Sequence, residues 1–172
     1  MFGSVTVTTY IYNNMNTEPN SWIIRTHDGN NLKNSKYPFW GVKRGKGGCI
    51  KSIVKKMKKG DPLFFLTSKK YGGRILAMGE YCGFYDRNEE PLLQINTKTN
   101  EEQNWEGDEN WDIQIHYCNL YMTEKQNILG TIQCGGVILE YNTFRDSING
   151  DLYEHYKNFK FYAEPKQFCV SI

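Results

Sequence analysis

A short apolar run after a helix-breaking turn constrains the fold of this chain more than any other feature. Gly60-Asp61-Pro62 interrupts an amphipathic segment, because proline lacks the amide hydrogen that a helix needs and glycine destabilises helices. The next four residues, 63–66, are all apolar, which is typical of a strand covered on both faces. Such a strand needs packing partners on both sides. The sequence therefore predicts an α/β (α+β) fold.

Hydrophobic periodicity places the other elements around this strand. Residues 29–35 form a predicted helix capped by Asp28, and Pro38 ends it. A second helix is predicted over residues 50–57, with apolar residues at helical spacing and lysines, Lys51 among them, on its outer faces. Residues 87–110 read as a hydrophilic loop, and residues 150–162 show weak helical periodicity. Further strands are predicted over residues 5–12, 21–26, 74–85, 111–117 and 137–141.

The length of 172 residues predicts one domain, residues 1–172, because it suffices for one hydrophobic core. No apolar stretch in residues 1–20 is long enough for a signal peptide or a membrane span. The five cysteines are an odd number without zinc-type C-x-x-C spacing, so we expect reduced, mostly buried thiols. These features predict a cytoplasmic protein without membrane association, with the nucleus as the alternative location.

Charge is segregated along the chain although the net charge is only +2. From residue 43 to residue 74 the only acid is Asp61, whereas residues 80–112 hold ten acids and two basic residues. A basic face attracts phosphates, because each neutralised phosphate releases counterions. The alternative is that these lysines merely solvate a helix. The eleven basic residues are Lys43, Arg44, Lys46, Lys51, Lys55, Lys56, Lys58, Lys59, Lys69, Lys70 and Arg74.

Three blocks of the sequence resemble a known family. Residues 22–40 (WIIRTHDGNNLKNSKYPFW) resemble the opening strand and helix of a YTH domain, and residues 60–81 resemble the central hairpin of YTH and EVE domains. Residues 105–117 (WEGDENWDIQIHY) resemble the later strand with its upstream tryptophans. The resemblance implies a member of the PUA-like superfamily, with a curved mixed β-sheet or barrel flanked by helices.

The resemblance also implies a site that holds one modified base. Trp40 and Trp105 match cage tryptophans, and Trp111 is a third candidate, although an aromatic residue at the start of a strand is often core packing. Trp22, which heads a buried strand, is expected in the core. Residues for the polar edge of the base would be Arg25, Thr26 and Asn31. The glycine-rich segment after Trp40 suggests phosphate contacts from Lys43, Arg44 and Lys46.

We therefore expect a non-enzymatic domain that recognises a methylated base, such as 6-methyladenine, in RNA in preference to DNA. It would need no cofactor and no metal, and the sequence leaves its oligomeric state open. One alternative is a binder of a methylated-guanine cap or free nucleotide that acts in translation. The other alternative is a cysteine-dependent enzyme, whose best candidates are Cys118 with His116 or His155.

Overall fold

The computed structural model describes residues 20–89, 97–108, 111–122, 138–140 and 165–168. These residues contain six strands, three short α-helices and two single 3₁₀ turns. The strands are β1 (Trp22–Arg25), β2 (Phe39–Val42), β3 (Pro62–Leu66), β4 (Ile75–Asp86), β5 (Ile113–Met122) and β6 (Ile138–Glu140). The helices are α1 (Asn30–Asn34), α2 (Cys49–Val54) and α3 (Asn100–Gln103), and the 3₁₀ turns are Lys46–Gly48 and Lys69–Tyr71.

All six strands belong to one mixed sheet, in the order β2-β5-β4-β3-β1-β6. β1 and β3 are parallel, and every other neighbouring pair is antiparallel. The register of β4 against β5 shifts twice, between Met78 and Glu80 and between Tyr81 and Gly83. Such irregularities bend a strand and increase its twist. The expected α+β class with a curved mixed sheet is confirmed.

The parallel pair β1 and β3 lies within the sheet and carries much of its core. Every residue of β3 is buried, as the unbroken apolar run predicts. The predicted core position of Trp22 is confirmed, since its side chain is buried on β1. Its indole Nε1 donates a hydrogen bond of 2.8 Å to Oδ2 of Asp61, just before β3. This bond satisfies the polar atom of the indole inside the core.

The predicted helix over residues 50–57 is shorter than expected, and one of its lysines is not on the outer surface. α2 ends at Val54, and Met57 is buried beyond its end. The expectation for Lys51 is wrong, because its side chain is buried against two carboxylates. Nζ lies 2.8 Å from Asp86 Oδ2 and also bonds to Glu89. A charged side chain is buried where such partners offset its loss of hydration.

The expectation of a plain loop over residues 87–110 is also wrong, because α3 lies within it. The Thr99 side chain accepts a hydrogen bond from the Glu102 amide, and the Glu102 side chain accepts one from the Thr99 amide. This reciprocal capping box begins the helix. β6 confirms a strand within residues 137–141. The predictions for residues 5–12 and 150–162 lie outside the described residues.

A segment near the end of the described chain supports α1. The Lys166 amide donates to the Leu120 carbonyl at 2.6 Å. Its ammonium donates to the carbonyls of Lys33 at 2.6 Å and Ser35 at 3.0 Å, at the C-terminal end of α1. Helix ends leave carbonyls unpaired, and a cation there also interacts favourably with the helix dipole. In the described part of the chain, no helix is long and apolar enough to cross a membrane.

Asp86 joins three segments of this fold, and we expect its loss to be costly. Its buried carboxylate accepts from the guanidinium of Arg44 at 2.6 and 2.7 Å and pairs with Lys51. Burial opposes its ionisation, but the bond to Lys51, the Asn88 amide and the charge of Arg44 outweigh burial and lower its pKa below 3.8. This contribution to stability is therefore complete above the ordinary carboxyl pKa and is lost as the pH falls through the lowered value.

Asp86→Asn should lower the free energy of unfolding by about 3–5 kcal/mol at pH 7, because it leaves cations without their buried partner. Denaturant titrations at pH 7 and at several values below pH 4 should show a smaller acid-dependent loss in the variant than in the parent. Glu89→Gln is the matched control, since the Glu89 side chain is 56% exposed. Its effect should stay within about 1 kcal/mol. Equal acid sensitivity of parent and Asp86→Asn would contradict this role.

Candidate functional site

Two adjoining hollows share a pair of tryptophans, Trp40 and Trp111. Their volumes are about 420 and 470 Å³, and both are lined by Trp40, Trp111 and His27. Hollows of this size are typical of sites for small molecules or single nucleotides. Of the six residues expected at a base site, five line one or both hollows: Trp40, Trp111, Arg25, Thr26 and Asn31.

The smaller hollow, here called the apolar hollow, lies between β2 and the glycine-rich segment that follows it. Its walls are mostly hydrocarbon and indole, and two cationic side chains, Arg25 and Lys43, also line it. Lys43 is exposed to solvent. The remaining lining residues are Gly41, Val42, Gly45, Cys49 and Ile50.

The larger hollow, here called the acidic hollow, lies between the start of α1 and residues 106–108. Three acidic residues line it: Asp28, Glu106 and Asp108. Its other polar residues include the predicted base-edge residues Thr26 and Asn31, together with Asn30. The two hollows thus differ in charge, with cations around one and carboxylates around the other.

Trp111 owes its position to a glycine and an amide. Its ring lies so close to Gly41 that a Cβ atom at residue 41 would be 2.5 Å from the Trp111 Cγ. Its Nε1 donates a 2.7 Å hydrogen bond to Oδ1 of Asn100 in α3. Trp111 is only half-buried and precedes β5 rather than lying in it. The ring is therefore held in place while part of its surface stays accessible.

Trp105 is buried and does not reach the surface of either hollow. It is 8% exposed, lines neither hollow, and its Nε1 donates to the Ser35 hydroxyl at 2.8 Å. Its ring centroid is 5.2 Å from that of Trp40 and 6.2 Å from that of Trp111. At these distances the rings contact each other directly. No base therefore fits between Trp105 and Trp40 in this arrangement, and a cage role for Trp105 stays a prediction.

The predicted base-edge residues bind the backbone of the protein. Asn31 Nδ2 donates to the Glu106 carbonyl and its Oδ1 accepts from the Glu106 amide, both at 3.0 Å. The Thr26 hydroxyl donates to the Leu66 carbonyl at 2.9 Å, and Arg25 donates to the Thr67 carbonyl at 2.9 Å. All three line a hollow. Their hydrogen bonds hold its walls in place, and direct contact with a base stays a prediction.

The three predicted phosphate ligands are in different environments. Lys43 and Lys46 are exposed and form no ion pair within the described residues. Arg44 is half-buried, and its guanidinium contacts both oxygens of Asp86. Its charge is therefore compensated inside the protein. The structure leaves Lys43 and Lys46 as the accessible cations of this set.

Of the residues proposed for a cysteine enzyme, Cys118 and His116 each contact another side chain in the part of the chain that the structure describes. The Cys118 thiol contacts the Cys82 thiol at 2.6 Å, and the His116 ring stacks on Phe39. Burial, the Cys82 thiol and the Glu80 carboxylate raise the pKa of Cys118 to about 12, and burial lowers that of His116. A thiol with so high a pKa is a poor nucleophile at neutral pH. His155 lies outside the described residues.

The cysteines also differ from expectation in their burial. Cys49 is exposed, and Cys82 and Cys118 are half-buried free thiols, so the expectation of mostly buried cysteines is wrong for these three. Cys134 and Cys169 lie outside the described residues. Within the part of the chain that the structure describes, no group of three histidine, cysteine or acidic side chains is placed to hold a metal ion.

Several residues that shape the site were missed by the sequence analysis. Asn100 and Gly41 position Trp111. The Gln103 carboxamide bonds to the backbone of Tyr37, which lies just before β2, and to that of Phe39, the first residue of β2. One signal was present in the sequence, because Thr99-x-x-Glu102 matches a capping box. Gly41 gave no such signal, since no strand was predicted over residues 39–42, where β2 lies.

Comparison with known proteins adds no family assignment. No family model matches the sequence, and no curated protein matches it. A solved structure described as a hypothetical protein from Leishmania major is 10% identical, with coverage of 87% of this chain and 88% of that one. Its TM-score of 0.35 is too low to support a conclusion about fold or function. Membership of the PUA-like superfamily, and of its YTH or EVE branch, stays a prediction.

The contact between Trp111 and Gly41 predicts the effect of one added methyl group. Gly41→Ala should displace the Trp111 indole and break its bond to Asn100, because the new Cβ would overlap the ring. Nuclear magnetic resonance of the indole N–H groups should show the Trp111 signal moving most and the Trp22 signal staying in place. Gly79→Ala is the control, since its Cβ would have no neighbour closer than 3.4 Å. An unshifted Trp111 signal in Gly41→Ala would contradict the described packing.

Proposed function

We propose that this protein is a non-enzymatic nucleic-acid reader that holds one methylated base, such as 6-methyladenine in RNA, against Trp40 and Trp111. The observation that supports it most is the pair of adjoining hollows that share these two rings. Flat indole surfaces suit the faces of a base, and the polar groups beyond them suit its edge. The resemblance to YTH and EVE domains points to the same class of ligand.

Stacking and burial of the methyl group contribute different amounts to the free energy of binding. Stacking of a base on an aromatic ring contributes about 1–3 kcal/mol, whatever the base. Burial of one methyl group in the apolar hollow adds about 0.8 kcal/mol. That amount corresponds to roughly fourfold preference for the methylated base. Stronger discrimination requires that the site also disfavours the hydrated, unmethylated amine.

The charges around the hollows favour a nucleotide over an uncharged aromatic molecule. The carboxylates of Asp28, Glu106 and Asp108 line one side and accept hydrogen bonds from amino groups. Lys43, which lines the apolar hollow, and Lys46, three residues further along the chain, are exposed and attract phosphates. A nucleotide carries amino groups on its base and negative charge on its phosphate. Its two ends therefore match the two sides of the site.

The acidic hollow also favours a second candidate, a binder of methylated guanine in a cap or free nucleotide. Such a base is cationic, so it would gain a cation–π interaction of about 0.5–2 kcal/mol with an indole. The nearby carboxylates of Asp28, Glu106 and Asp108 would attract it further. Ligand length separates the two candidates. A cap binder would hold a cap analogue about as tightly as a capped oligonucleotide, whereas a reader of internal bases needs a strand.

The experiment that tests the proposal measures affinities for short RNA and DNA strands with and without one methylated adenine, and for methylated and unmethylated guanine nucleotides. Trp111→Ala should lower the affinity for the preferred methylated strand roughly five- to two-hundredfold, because one stacking surface is lost. It should also remove the preference for the methylated base. Trp111 is half-buried, so its truncation should leave the fold intact.

Trp22→Phe is the matched control, because Trp22 lies in the core and lines neither hollow. It should lower the melting temperature, since the bond to Asp61 is lost, and leave the affinity unchanged. Trp40→Ala should abolish binding, with circular dichroism to verify its fold. If folded Trp111→Ala and Trp40→Ala variants bind the methylated strand as tightly as the parent, the proposal is wrong.

The two accessible lysines predict the salt dependence of binding. The double variant Lys43→Ala, Lys46→Ala should bind more weakly at low salt and show a shallower dependence of log affinity on log salt. The slope should fall by about 0.7 for each lost phosphate contact on a single strand. Lys55→Ala, Lys56→Ala is the control, because it removes the same charge from two exposed positions neither of which lines a hollow, whereas Lys43 lines the apolar hollow. Identical slopes for the two double variants would show that Lys43 and Lys46 have no special role.

A further inference from the structure

An exposed pair of aromatic rings lies beside the two hollows. The His27 side chain is 72% exposed and lines both hollows. The Tyr71 ring packs edge-on against it, with centroids 4.9 Å apart and an angle of 62°. Among the described residues, Tyr71 is the one large hydrophobic side chain that is exposed, at 37%. Both rings therefore offer uncovered surface next to the proposed base site.

The backbone holds these two rings together. His27 has a φ of 56°, a left-handed conformation that is uncommon for residues other than glycine. The Ser68 amide donates to the His27 carbonyl at 2.7 Å, and the Tyr71 amide donates to the Ser68 carbonyl at 2.9 Å. The Thr67 hydroxyl donates to the Tyr71 carbonyl at 3.1 Å. The backbone at His27 and the 3₁₀ turn that contains Tyr71 are thus joined by hydrogen bonds through Ser68. These bonds fix the two rings relative to the hollows.

The charges around Tyr71 suit a phosphate backbone. Lys69, Lys70 and Arg74 are exposed on the same hairpin, and the Lys70 ammonium lies 5.4 Å from the centre of the Tyr71 ring. Asp28 beside His27 is the acidic residue nearest to the pair in sequence. Exposed aromatic rings among cations are how proteins bind single-stranded nucleic acids, since every base has faces that can stack.

We propose that His27 and Tyr71 form a second stacking site, which takes the base next to the one held at Trp40 and Trp111. The occupant is a single-stranded oligonucleotide whose phosphates interact with Lys69, Lys70 and Arg74. This inference rests on the proposed function and deepens it, because a protein with this second site reads a base within a strand. A free nucleotide fills only the first site.

The test compares two probes, 6-methyladenosine 5′-monophosphate and a trinucleotide with 6-methyladenosine flanked by two uridines. The parent should bind the trinucleotide more tightly. Tyr71→Ala should lower the trinucleotide affinity roughly five- to two-hundredfold and leave the mononucleotide affinity unchanged. Tyr71→Phe keeps the ring and should bind both probes like the parent. Tyr37→Ala is the control, because Lys98 also lies over the Tyr37 ring, at 4.5 Å, whereas the ring that packs against His27 is that of Tyr71.

The outcomes separate this inference from the proposed function. If Tyr71→Ala binds the trinucleotide as tightly as the parent, the second stacking site is wrong and the first is unaffected. If Tyr71→Ala loses equal affinity for both probes, Tyr71 supports the first site and takes no neighbouring base. If the parent binds neither probe while remaining folded, the proposed function fails, and the second site fails with it.

Discussion

The Trp111 indole lies directly on the backbone of Gly41, and the candidate site depends on that contact. β2 pairs with β5 so that Gly41 is opposite Gln114, which brings Trp111, two residues before β5, next to the edge strand β2. Because Gly41 has no side chain, the indole can lie there, next to Trp40. The two rings border both the apolar and the acidic hollow. A larger residue at position 41 would displace the ring that both hollows share.

Polar side chains hold the surrounding segments, mainly by binding backbone groups. Asn31 bonds twice to Glu106, Asn100 bonds to Trp111 and to the Gly107 carbonyl, and Gln103 is fully buried against the chain at Tyr37 and Phe39. Segments without regular structure need such partners for their buried polar groups. Networks of this kind also make a surface rigid. A rigid site loses less conformational entropy when it binds a ligand, so its affinity is higher.

The parts of the fold that depend on local pattern were predictable from the sequence, whereas the parts that depend on distant polar pairs were not. The apolar run of β3 and the buried Trp22 are visible as periodicity and were confirmed. Lys51 and Arg44 belong to a basic stretch, and only the folded chain shows that Asp86, from the acidic stretch, neutralises them. The segregation of charge along the sequence therefore reflects internal pairing as well as an outward cationic surface. Because Arg44 is paired with Asp86, only Lys43 and Lys46 of the three candidate phosphate ligands remain accessible.

The central claim is that a base occupies the hollows beside Trp40 and Trp111. A crystal structure of the protein with a short single-stranded RNA that contains 6-methyladenine tests it most directly. The account predicts electron density for the methylated base in contact with both indoles, with Trp105 still packed behind them and Lys43 near a phosphate. Density for the base at another surface, with both hollows filled only by water, would contradict the account.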